Sequence, residues 1–244
     1  MSQRQFNVAP NNAHYQGAYG AAALEWRRLG ALDKSRNILT LLGARVPQIC
    51  SVLEVGCGTG AVLARLVAAG LGREHVGVDL TDPDEHRDAS ATGLDLRAYD
   101  GVTLPFDDRQ FDLVFASHVL EHVLDERSFL SELRRVSGHV VYVEVPCESN
   151  FYTTREAMQR SLNIGHINSY TPDAFALTLA TSGLLVKDFR VFDHSFAVHA
   201  FQTPVVKAWM KMVLRQGLLA INERFAEKIF TYHAGAVCAA GDSR

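Results

Sequence analysis

Cysteine is scarce: there are four in 244 residues. Cys50, Cys57, Cys147 and Cys238 form no C-x-x-C pair, which argues against a disulfide framework or a zinc ribbon and for reduced thiols. An excess of one charge is missing too. Lys+Arg total 24 and Asp+Glu 27, a formal net charge of −3, so bulk charge supplies no attraction for nucleic acid. No apolar run approaches the roughly 18–20 residues a membrane helix needs. The opening MSQRQFNVAPNNAHY is polar and holds no apolar signal-peptide core. No nucleic-acid partner, no stable membrane insertion and a cytoplasmic location are expected. What remains is ordinary globular composition, with 48% hydrophobic and 21% charged residues. The length suits one large domain, or a domain plus a cap.

Strand and helix patterns alternate along the chain. Residues 24–43 place Leu24, Leu32, Leu39 and Leu42 at near-helical spacing, with Gly30 expected to interrupt the helix and Gly43 to end it. Strands are predicted over 51–56, 75–80, 93–100, 111–117 and 139–146, and helices over 59–70 and 128–136. This alternation predicts an α/β fold with a mostly parallel sheet and helices on both faces. Residues 171–183 carry Thr171 at the N-cap, Pro172 at N1 and Gly183 past the end of a helix. Strands are then predicted over 184–192 and 229–240, around a helix at 204–218. Two late strands around one insertion suggest an antiparallel edge. The expected organisation is a helical cap or lid over 1–45 and a catalytic domain over 46–244, with a helical insertion near 194–228.

The most informative segment is Val52-Leu53-Glu54-Val55-Gly56-Cys57-Gly58-Thr59-Gly60. Glycines at a strand-to-helix turn let a ligand approach the backbone and the helix N-terminus. The spacing is G-x-G-x-G rather than the dinucleotide G-x-G-x-x-G. An acid two positions before the first glycine disfavours a pyrophosphate there, and suits an ammonium group or ribose hydroxyls. Cys57 is small enough for the turn, and no activating base stands beside it in sequence.

With these motifs the chain resembles the class I S-adenosylmethionine (SAM)-dependent methyltransferases over about residues 50–192. Val76-Gly77-Val78-Asp79-Leu80 is similar to the family's second-strand motif, whose terminal acid takes the ribose hydroxyls. Tyr99-Asp100-Gly101 is similar to the third-strand element that meets adenine, and Ser117-His118 begins the segment that lines the methionine half. The resemblance therefore implies a Rossmann-like methyltransferase sheet. It sets Glu54, Gly56, Cys57, Gly58, Asp79, Leu80, Asp100, Gly101, Ser117 and His118 against SAM. The polar stretch TDPDEHRDASAT departs from the longer helix of many relatives and puts one side of the adenine pocket in doubt.

His118-Val119-Leu120-Glu121-His122 also matches H-x-x-E-H, the zinc signature of inverted zincins. It directly follows a parallel strand within a coherent methyltransferase pattern, so no metal is assigned. Glu121 and His122 are read mainly as capping the turn. On the substrate side, His122, His166 and Tyr170 are the catalytic candidates, for orienting an acceptor or taking its proton. Gly165-His166-Ile167-Asn168-Ser169-Tyr170-Thr171 resembles a bacterial branch of small-molecule and sugar methyltransferases. Tyr15, Tyr19 and Trp26 are read mainly as core packing or helix docking, with a lid over the cofactor as the alternative. Lys207, Lys211 and Arg215 are read as a solvated face, and Trp209, Met210, Val213 and Leu214 as covering the site or a second subunit in a homodimer.

The function expected is SAM-dependent methylation of a small-molecule acceptor, at oxygen or nitrogen, in secondary or carbohydrate metabolism. The alternatives are self-cyclisation of SAM in the manner of azetidine-2-carboxylate synthases, releasing methylthioadenosine, and a non-catalytic SAM-fold partner protein.

Overall fold

The computed structural model describes residues 6–8 and 21–240. Its elements follow the order α1 (Ala21–Leu42), β1 (Ser51–Val55), α2 (Ala61–Ala68), β2 (Glu74–Asp79), β3 (Asp95–Ala98), β4 (Phe111–Ser117), α3 (Glu126–Val136), β5 (Ser137–Cys147), α4 (Arg155–Asn163), α5 (Pro172–Thr181), β6 (Leu184–Phe192), α6 (Phe196–Ala200), α7 (Val205–Ile221), α8 (Glu223–Ile229) and β7 (Tyr232–Ala240). The seven strands form one sheet in the order β3-β2-β1-β4-β5-β7-β6. β1 to β5 pair in parallel, and β7 runs antiparallel to both β5 and β6. The antiparallel strand thus lies at the expected end of the sheet, one place inside the outermost β6.

The central strands read as unbroken apolar runs because both of their faces are covered. Alternate residues point to opposite faces. Leu53, Val114 and Val143 join one core with Phe129, Leu133 and Phe175, while Val52, Leu113 and Phe115 join the other with Ile38, Leu42, Leu63 and Leu66. α1 and α2 cover the second face.

Several local expectations change. α1 runs unbroken through Gly30, where a Cβ would meet nothing within 4 Å among the described residues. Its buried face is not a leucine stripe: Leu24 and Leu32 are exposed, and Asp33, Ser35, Asn37, Ile38 and Leu42 are buried. The sequence pattern places no helix at α4, which is short and apolar-poor, while α8 lies almost wholly inside the 194–228 stretch; Thr154 and Asn222 cap the two by accepting from Ala157 N and Phe225 N. The TDPDEHRDASAT stretch forms two 3-10 turns, Pro83–Glu85 and Ala89–Ala91.

Arg215 also departs from the solvated reading. Lys207 and Lys211 are exposed, but Arg215 is buried, its Nε 2.8 Å from Asp193 Oδ1 and its guanidinium over the Tyr232 ring. Its partner stands 22 residues away, so helical spacing alone hides it. Arg215→Ala is expected to lower stability by about 2 kcal/mol in urea unfolding, since His199 still faces Asp193. Trp209, Met210, Val213 and Leu214 are exposed. Among the described residues no helix is long and apolar enough to cross a membrane.

Candidate active site

In open α/β sheets a ligand crevice forms where strand order reverses, beyond the carboxyl ends of the strands. Here the reversal lies between β1 and β4. A cavity of about 1330 Å³ opens there, larger than the roughly 300–1,000 Å³ of a single-ligand pocket. It has room for two molecules.

The glycine loop forms one wall. Gly56 N and Cys57 N both donate to Val78 O, at 2.8 and 3.0 Å. Gly56, Gly58 and Gly60 have φ of 80°, 51° and 75°, the left-handed region that glycine enters without steric penalty. Behind the loop Glu54 is buried and accepts from Leu63 N at 3.1 Å, capping α2. Burial raises its pKa to about 8, with Lys34 opposing. Asp79 accepts from Gly58 N at 2.7 Å through Oδ2 and from Thr81 through Oδ1. Asp100 accepts from Val102 N and Thr103 N through Oδ1, which holds its carboxyl below the usual range and leaves Oδ2 toward solvent. Leu80 packs against Gly101, where a Cβ would meet Leu80 Cδ2 at 2.3 Å. Cys57 is buried and its thiol pushed far up by that burial, so it is inert.

Ser117 and His118 form the next stretch. Ser117 Oγ is buried with no hydrogen-bond partner among the described residues, and Ser117 O accepts from Lys34 Nζ at 3.3 Å. Such an orphaned hydroxyl, the carboxylate of Glu54 and the open glycine cradle fit a zwitterionic, hydroxyl-rich ligand of the SAM type. Sequence reading missed Lys34 altogether. It comes from α1 and reaches beneath the loop, where burial lowers its pKa while Glu121, Glu144 and Glu54 raise it. His118 has φ 60°. Its Nε2 lies 2.8 Å from His233 Nδ1, whose ring continues to His194 Nε2 at 2.9 Å; His194 Nδ1 is 3.7 Å from Asp33 Oδ2. Burial holds His118 and His233 well below the usual histidine range.

The acceptor side of the cavity contains His122 and His166, their ring centroids 4.8 Å apart. The loop before α5 is tied to the turn after β4, because Ile167 N and Asn168 N both donate to Glu121 O. His166 Nδ1 lies 3.0 Å from Glu148 Oε2 and His122 Nδ1 lies 2.9 Å from Gly165 O. Burial disfavours the charged form of His166, but Glu148 and Glu121 outweigh it and raise the pKa. Burial, with His166 nearby, brings His122 down to about 4.

Two readings change here. Tyr170 does not reach the cavity: it is buried and its hydroxyl donates to Glu126, with Leu120 O 3.4 Å away. Glu121 does not cap the turn through its side chain, since neither carboxylate oxygen has a hydrogen-bond partner among the described residues. The H-x-x-E-H residues separate, His118 toward Glu144 and His233, and Glu121 and His122 toward His166. Trp26 stands at the rim, its ring 5.3 Å from that of Phe201. Tyr15 and Tyr19 lie outside the described residues.

Residues 53–140 match a family model described as a methyltransferase domain. The malonyl-[acyl-carrier protein] O-methyltransferase of Salmonella typhimurium is 32% identical over 194 residues, 77% of this chain and 73% of that one. A probable chloroplastic tocopherol O-methyltransferase of Oryza sativa is 29% identical over 70% of this chain, which spans only 53% of that relative's length. The fold is similar to that of geranyl diphosphate C-methyltransferase from Streptomyces coelicolor, with a TM-score of 0.62 and 13% identity over 97% of this chain and 91% of that one. The glycine loop, the sheet order and a relative matched over most of both chains converge: this chain belongs to the class I SAM-dependent methyltransferases.

Proposed function

We propose that this methyltransferase acts on an oxygen atom of a small-molecule acceptor held against His122 and His166. The observation that carries this reading is one continuous cavity, with the glycine loop on one side and the His122–His166 pair on the other. The O-methyltransferase names of the bacterial and rice relatives support it.

When bound, SAM supplies an electrophilic sulfonium methyl with its leaving group already in place. The chain's task is then mainly positioning. Glu54 would receive the ammonium group, Asp79 the ribose hydroxyls, and Asp100 with the Gly101 amide the adenine edge. Ser117 and His118 would line the methionine half. His122 and His166 would orient the acceptor oxygen.

The test is mass spectrometry of purified protein with SAM, first alone and then with hydroxyl- and carboxyl-bearing small molecules. Acceptor-dependent S-adenosylhomocysteine is the expected product. Methylthioadenosine from SAM alone would redirect the function to self-cyclisation, and absence of SAM binding to a non-catalytic role. His166→Ala is expected to lower kcat about tenfold while SAM affinity changes by less than about threefold. An equal loss in both would remove His166 from the acceptor side.

A further inference from the structure

We propose that Glu121, His122 and His166 form a binding site for a divalent transition-metal ion, with Zn2+ the ion that best suits two imidazoles and a carboxylate. The inference deepens the acceptor-side reading above and rests on it: the ion would hold the acceptor oxygen.

The donor atoms of the three residues lie within 4.8 Å of one another. Ligands about 2.0–2.1 Å from Zn2+ stand roughly 3.3 Å apart in a tetrahedron, so rotations of the three side chains close the set. Glu121 supplies the independent argument. It is 1% exposed, it lines the cavity, and among the described residues neither carboxylate oxygen has a hydrogen-bond partner. His118 Nδ1, at 3.6 Å from Glu121 Oε1, is too far for a hydrogen bond. A buried carboxylate left this way is strongly destabilising, and a metal ion supplies the missing partner.

The histidines carry the outer-shell contacts that metal ligands use. Gly165 O can only accept, so His122 Nδ1 carries the hydrogen and Nε2 the lone pair. Glu148 does the same for His166. Lys34 is the nearby cation, and it is shared among the carboxylates of Glu121, Glu144 and Glu54. Three protein ligands leave a further position for water or an acceptor oxygen, the pattern of catalytic rather than structural zinc sites.

A second group, His118, Glu144 and His233, is also within ligand distance. Its members already bond to one another, with Asn37 and Tyr142 completing Glu144. It lacks the orphaned carboxylate and is not the site proposed.

The test is calorimetric titration of chelator-treated, full-length protein with Zn2+, and absorption spectroscopy with Co2+ as the coloured substitute. One equivalent is expected to bind, with a Co2+ spectrum of nitrogen and oxygen ligation. The near-isosteric Glu121→Gln, and His166→Ala, should each weaken Zn2+ binding at least tenfold, and Glu148→Gln about tenfold through His166. His233→Ala should leave Zn2+ affinity within about twofold. Circular dichroism of each variant establishes that it is folded. Failure of folded wild-type protein to bind Zn2+ or Co2+ stoichiometrically would overturn the site, as would unchanged affinity in Glu121→Gln and His166→Ala. Acceptor-dependent methyl transfer undiminished by chelator would overturn the metal's role and leave the methyltransferase reading intact.

Discussion

Gly56→Ala is expected to lower SAM affinity by at least two orders of magnitude, measured by calorimetry. The residue sits at φ 80°, and a Cβ there would meet Val119 Cγ2 at 2.3 Å. The left-handed conformation disfavours alanine by about 1–2 kcal/mol, and overpacking adds about 1–3 kcal/mol. Valine is stiff at χ1 and has no easy rotation away. The loop itself must move, and with it the amides of Gly56 and Cys57 that hold Val78 O. Two controls separate this effect from general strain. Gly70→Ala shares a positive φ of 79° but has open space around it, so its SAM affinity should match wild type within about threefold. Val119→Ala combined with Gly56→Ala should recover much of the loss. A Gly56→Ala protein that binds SAM normally would remove the loop from the cofactor site.

Glu54→Gln is expected to weaken SAM binding about 100-fold, near the upper end of the 1.5–3 kcal/mol of a charge-assisted hydrogen bond. Glutamine keeps an oxygen for Leu63 N, so α2 stays capped. The wild-type affinity should also depend on pH. Free Glu54 has a pKa of about 8, because burial outweighs Lys34 and Leu63 N while Asp79 pushes the same way. Cys57 faces it as a neutral thiol. A cationic ammonium group requires the carboxylate, so binding releases a proton below that pH. Affinity should therefore rise toward tenfold per pH unit from pH 6 to near 8. It should flatten above 8, where Glu54 is already ionised and the amino group of SAM begins to lose its own proton. In Glu54→Gln the rise should vanish. A wild-type affinity flat across this range would show that Glu54 does not face the ammonium group.

These two residues are legible in the sequence for the same reason: the motif is local. Strand, turn and helix follow one another within ten residues, and each glycine answers a need of its own backbone. Asp79 and Asp100 are nearly as readable, since Asp79 ends β2 and Asp100 stands two residues past the end of β3. The residues that complete the cavity leave no such trace. Lys34 and Asp33 arrive on α1, and His194 and His233 from the far end of the sheet. Only the β1-to-β7 topology brings them together. The polar inner face of α1 hid that helix's role, because periodicity reading counts leucines, and Leu24 and Leu32 point outward. Tyr170 misled in the opposite sense. It lies four residues after His166, but its ring enters the core while the histidine turns to the cavity.

The row His118, His233, His194 and Asp33 has a consequence for where hydrogen atoms sit. Burial disfavours charge on His118 and His233, and a neutral imidazole owns one hydrogen and one lone pair, so bonded rings must point the same way along the row. Asp33 sets that direction. The Ser195 amide donates to its Oδ2 at 2.7 Å and helps hold its carboxyl below the usual range against burial, and a carboxylate can only accept. His194 then turns its Nδ1 hydrogen toward Asp33, His233 donates from Nε2 to His194, and His118 donates from Nε2 to His233. The Nδ1 lone pair of His118 is left facing Glu121. Asp33 at one end of the row and Glu144, 3.3 Å from His118 Nε2, at the other thus ask for the same tautomers, and the polarity of that line ends at the oxygen atoms of the acceptor wall.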